Sequence, residues 1–131
     1  MLKEQEAAEI LANALARDSR NHVRRMSAIG LAKLGVHDHG KHLVDALTDR
    51  DPLVRRYAAE GLVKLDYKPA IPYLMFALEA NIAGRDINKA LMALTGQDFG
   101  FNHTANIIDR TEAVDRCFSW WAEHHLEFVK E

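Results

Sequence analysis

The chain has 131 residues, 48% of them hydrophobic and 27% charged, with a formal net charge of −2. That mixture suits one globular domain and argues against disorder. Interspersed charges of both signs give no general attraction to nucleic acid or anionic membrane. No apolar run approaches the roughly 20 residues that span a bilayer.

The N-terminal stretch MLKEQEAAEILANALARD threads charges through its apolar residues. A secretory leader needs an uninterrupted apolar segment, so the expectation is a cytoplasmic protein. Residues 3–17 have helical spacing, with Leu11, Ala14 and Leu15 on one face.

The next two segments repeat one another. Residues 18–47 lie over 49–78 without a gap at an offset of 31. Asp18 meets Asp49, Val23 meets Val54, and Arg24-Arg25 meets Arg55-Arg56. Ala28, Gly30, Leu31, Lys33 and Leu34 meet Ala59, Gly61, Leu62, Lys64 and Leu65. Small and apolar matches dominate, which is what recurring packing requires. Gly30 and Gly61 are expected to allow close helix approach.

Each unit reads as two helices. Val54, Ala58, Leu62 and Leu65 trace the face of a first helix, opened by Asp51-Pro52, a capping side chain followed by proline at the first position. Ile71, Leu74, Met75 and Leu78 trace the second, with Pro69 and Pro72 in its first turn. Leu11, Ala14 and Leu15 match Leu43, Ala46 and Leu47 at an offset of 32, so 3–17 reads as a half-repeat that is a second helix alone.

Residues 85–96, RDINKALMALTG, read as a third first-helix, with Leu91 and Leu94 matching Leu62 and Leu65 and Gly96 as its stop. A loop is expected over 97–110, then a last helix from about Thr111 to Val129. Val114, Cys117, Phe118 and Trp121 make its apolar stripe, while Trp120 is placed to cover Phe99 and Phe101 in the loop. This Trp-rich segment is expected to cap the end of a stack. Cys117 has no cysteine partner and sits on an apolar face, so a buried thiol is expected.

No segment alternates with period two, so the fold class expected is all-α. It is an α-solenoid of about three stacked antiparallel helix pairs with seven helices, in a single domain over 1–131. Its repeats are 18–48 and 49–80, with the half-repeat 3–17 before them and a third repeat plus cap over 84–131.

The phrase VRRYAAEGLVKL after an aspartate, followed by AIPYL, resembles HEAT-like repeats of the short kind also found in phycobilin lyase subunits. The resemblance covers most of 9–95. It implies a ladder in which the aspartate before each first helix and the Val-Arg arginine tie successive repeats. On this sequence the ladder falls on Asp18 with Arg24 and Asp49 with Arg55. Arg25 and Arg56, about 100° round the helix, are expected to be solvated. With Arg17, Arg20 and Arg50 they form a possible phosphate-attracting edge, offset by Asp18, Asp49 and Asp51 and short of stacking aromatics apart from Tyr57.

Catalytic signals are absent: there is no Gly-rich phosphate loop, no GxSxG, and no His-Glu dipeptide of the kind carried by metal-dependent hydroxylases built on HEAT-like repeats. HDHGKH, with His37, His39 and His42, is the nearest approach to a metal motif, but a polar turn is the expected reading. His124 and His125 are expected at the end of the last helix, on its surface. No cofactor is expected.

Subtracting the core stripe from 69–80 leaves Tyr73 and Phe76 facing outward, with Phe76 tucked under the C-terminal cap as the alternative; the positions one repeat back are His42 and Asp45, and two back Ile10 and Asn13. In HEAT-like stacks the second helices line the concave face. The expected function is therefore non-catalytic binding of a protein or peptide on that face, through Tyr73, Phe76, His42 and Asp45. The alternatives are an accessory role in a lyase-like enzyme, nucleic-acid binding through the arginine edge, and self-association through the N-terminal end.

Overall fold

The computed structural model describes residues 2–128, and among them every regular element is helical. Seven α-helices follow in order: α1 (Leu2–Arg17), α2 (Asn21–Leu34), α3 (Gly40–Asp45), α4 (Pro52–Lys64), α5 (Ile71–Glu79), α6 (Gly84–Thr95) and α7 (Ile107–His124). Short 3-10 turns at His37–His39, Ala46–Thr48, Lys68–Ala70 and His125–Glu127 extend several of them. No described helix is long and apolar enough to cross a membrane. The chain divides into two compact units, Met1–Tyr67 and Lys68–Glu131. The boundary falls inside the 49–80 repeat, between its two helices, so units of compactness and of sequence repetition do not coincide.

In the first unit α1 packs on α2, α2 on α4, and α3 on α4. The face of α1 that meets its neighbours is Ala8, Ala12 and Leu15, while Leu11 and Ala14 are half-buried. α2 ends at Gly35, whose left-handed backbone lets its N–H reach the Ala32 carbonyl. α4 begins as its sequence demands: the Asp51 carboxylate accepts from Val54 N–H at 3.1 Å, and Pro52 occupies the first position. Val54, Ala58, Leu62 and Leu65 are all buried. The second helix of the first repeat is short, six α-helical residues that tighten into the Ala46–Thr48 turn.

In the second unit α5 packs on α6 and α7. Its buried residues are Ile71, Leu74, Met75, Ala77 and Leu78. Gly96 ends α6 in the left-handed conformation, with Leu91 and Leu94 buried before it. The last helix starts one turn earlier than its apolar stripe predicts. Asn106 caps it by accepting from Asp109 N–H at 2.9 Å, so the loop is shorter than 97–110. Ile107 and Ile108 in that first turn are exposed and belong to no stripe, which is why apolar spacing missed them. The expected end at Val129 lies outside the described residues; the α-helix closes at His124.

Candidate functional site: the second-helix faces

The turns between repeats fix how the second helices of the first unit are presented. Arg24, 2% exposed, places Nε 2.9 Å from Asp49 Oδ2 and Nη2 3.1 Å from Asp49 Oδ1. Its Nη1 donates to the Asp18 carbonyl at 3.0 Å and Nη2 to Asn21 Oδ1 at 2.7 Å. The ladder is therefore offset from the one the resemblance implies. The arginine takes the carboxylate of the following repeat and only the carbonyl of its own aspartate. Arg55 likewise donates to the Asp49 carbonyl at 2.8 Å, not to its carboxylate. One repeat further on, the matching position is Ala80, so the series of carboxylates stops.

Arg25 is not solvated as expected. It forks onto Asp51 at 2.7 and 2.8 Å. This guanidinium, with Val54 N–H, holds the Asp51 carboxyl down at about 2 against the opposing effect of burial. Asp51 is thus both helix cap and cross-repeat anchor, a double role hidden by its reading as a cap alone. At the same position in the first repeat stands Arg20, which folds back onto Asp18 at 3.0 Å. Arg20 holds the Asp18 carboxyl at about 2 as well. Arg56 pairs with Glu60 at 3.1 Å. Most of the arginine edge is thereby matched to carboxylates, which leaves little free positive field for phosphate.

The three turn histidines do not converge. His39 and His42 rings stack at 5.7 Å, whereas His37 lies on Tyr67 at 5.0 Å. Among the described residues no group of three His, Cys, Asp or Glu is arranged to hold a metal. Partial burial, then the charges of Lys41 and His39, lower the pKa of His42. His42 and Asp45 line a groove of about 430 Å³ between α1 and α3, with Ala12, Leu15, Asp49 and Arg50. Of the earlier pair on α1, Ile10 and Asn13 are both exposed.

In the second unit the outward face of α5 carries Tyr73, 57% exposed, and Phe76, 59% exposed. Phe76 is not covered by the C-terminal segment, but its ring touches that of Phe118 on α7 at 5.5 Å. A second groove, of about 230 Å³, runs between the end of α5 and the first half of α7.

The C-terminal aromatics gather on one another. Trp120 meets Phe99 edge-on at 5.6 Å, as its offset from the stripe suggests, and stacks on His124 at 4.8 Å. His124 Nδ1 lies 2.9 Å from the Trp120 carbonyl and His125 Nδ1 lies 3.2 Å from that of Trp121. Phe99, Phe101, Val114 and Cys117 are buried, while Phe118 and Trp121 stay half-exposed. Burial pushes the Cys117 thiol up to about 12. Lys68 closes the unit by donating to the Leu94 carbonyl at 2.8 Å, with its ammonium 5.5 Å over the Phe128 ring. Sequence reasoning missed this lysine, because nothing local to 68 signals a helix end 26 residues away.

Compared with known proteins, the chain matches a family model described as HEAT repeats over residues 8–95. No curated protein and no solved structure matches it.

Proposed function

The chain belongs to the HEAT repeat family, and we propose that it is a non-catalytic module that binds a protein or peptide through the exposed faces of its second helices. HEAT repeats commonly mediate protein–protein interaction, which supports the general reading. The observation that carries the particular one is the outer face of α5. That helix buries five side chains, yet Tyr73 and Phe76 stand more than half exposed. Aromatic side chains left in water cost hydration free energy, and a partner that covers them recovers it. His42 and Asp45, the matching positions one repeat earlier, line the groove of the first unit.

The test is a capture from the native lysate with wild type, Tyr73→Ala/Phe76→Ala and His42→Ala/Asp45→Ala, each shown by circular dichroism to be folded. This reading expects a protein recovered by wild type and lost with the aromatic pair. Equal recovery by all three would move the binding surface away from the second helices.

A further inference from the structure

We propose that the groove between α5 and α7 takes a basic amphipathic peptide segment, with an apolar side chain seated on Phe76 and Phe118 and a lysine or arginine set between Glu79 and Asp115. The proposal rests on the reading of the α5 face as a binding surface and adds the chemistry of its partner.

Three observations converge on it. Phe76 and Phe118 touch across two helices, yet Phe76 remains 59% exposed, so the pair is an open apolar platform. The groove lies along the same two helices and is lined by Leu78 and Val114 together with Glu79 and Asp115. Glu79 is three residues beyond Phe76 and Asp115 three before Phe118. Each carboxylate therefore lies one helical turn, about 5 Å, along the groove from its ring.

Charge decides the class of occupant. The carboxylates of Asp18, Asp49, Asp51 and Glu60 all face arginines. Glu79 and Asp115 make no ion pair among the described residues and are exposed. Among the described residues Arg110 is the cation that lines the groove, with Nη1 on the Ala105 carbonyl at 2.6 Å, so the carboxylates there outnumber it two to one. An acidic or neutral guest would leave both carboxylates partly desolvated and unpaired, which disfavours it. A helix with apolar and basic side chains one turn apart satisfies platform and carboxylates together.

The test uses fluorescence anisotropy with the whole chain and labelled model peptides of about 14 residues. One places leucine and lysine at helical period, one replaces lysine with glutamate, and one scrambles the leucine–lysine order. The proposal expects the amphipathic leucine–lysine peptide to bind at least about ten-fold more tightly than either control. Phe76→Ala should lose about ten-fold and Glu79→Gln/Asp115→Asn about five-fold, while Met26→Ala, at an exposed position on α2, binds as wild type. Both altered groove sites are exposed, and circular dichroism checks their folding. Equal binding of the glutamate peptide, or unchanged binding by Glu79→Gln/Asp115→Asn, overturns the proposal. So does a wild-type dimer in sedimentation that Phe76→Ala dissolves, since the occupant would then be a second copy. A lysate partner lost with Tyr73→Ala/Phe76→Ala but kept by Glu79→Gln/Asp115→Asn would leave the binding face standing and remove only the basic chemistry.

Discussion

The guanidinium of Arg24 holds the carboxylate of Asp49, 25 residues on, through two parallel bonds of 2.9 and 3.1 Å. It joins the first helix of one repeat to the turn that starts the next. Fork geometry and burial both favour arginine here over lysine. Removing one partner leaves the other charge buried and unpaired, so Arg24→Ala should lower stability by about 3 kcal/mol. Arg24→Lys should recover only part of that. Arg55→Ala gives up one bond to the Asp49 carbonyl and should cost about 1 kcal/mol. Urea denaturation of the three variants checks the order. A double-mutant cycle of Arg24→Ala with Asp49→Ala should show coupling of about 1–3 kcal/mol.

Acid should loosen the turns that open α2 and α4. The Asp51 and Asp18 carboxyls titrate at about 2 in the folded chain, below the ordinary 3.8. A depressed carboxyl pKa lends stability that is fully present above the unfolded value and is lost as pH falls through the folded one. Melting temperature should therefore drop between about pH 4 and pH 2. Asp51→Asn keeps a capping oxygen but has no charge to titrate. It should start lower at neutral pH and fall less over that acid range.

Gly40 opens α3 under the ring of Tyr67, where a β-carbon would collide with Cγ and Cδ1 of the tyrosine. Alanine is the better helix former by about 1 kcal/mol. Overpacking outweighs it, so Gly40→Ala should destabilise by about 1–3 kcal/mol. Combining it with Tyr67→Ala should cost less than the sum of the two single changes, as thermal denaturation of the four proteins would show.

Cys117 is fully buried on α7 with its thiol held at about 12. A thiol in that state carries almost no thiolate at neutral pH. It should resist a disulfide reagent such as dithiobis-nitrobenzoate in the native protein and react with one equivalent in denaturant.

What the sequence reveals is what is local or repeated. The spacing of Val54, Ala58, Leu62 and Leu65 defines a buried face because helical geometry alone relates those positions. Tyr73 and Phe76 face outward by subtraction from the same pattern, but whether the C-terminal cap covers Phe76 depends on how α7 packs on α5. Partners across repeats are less visible. Asp49 and Asp18 are equivalent in the alignment, so either is a plausible mate for Arg24, and only the packing of α2 on α4 selects the later one. Arg25 and Asp51 escaped for the same reason. Asn106-x-x-Asp109 is a cap signal in its own right, obscured because the isoleucines that follow it bury nothing. Glu79 and Asp115 gain meaning only when α5 and α7 lie side by side.

Site-specific photo-crosslinking in the native lysate locates the partner on the chain directly. A benzophenone amino acid is placed at Tyr73 or Phe76 on α5, and at Glu60 on the exposed side of α4 as a control. A partner seated on the outer face of α5 gives a discrete crosslinked protein from positions 73 and 76 and none from 60. Crosslinking from position 60 alone, or equally from all three, would contradict a partner bound on the second-helix face.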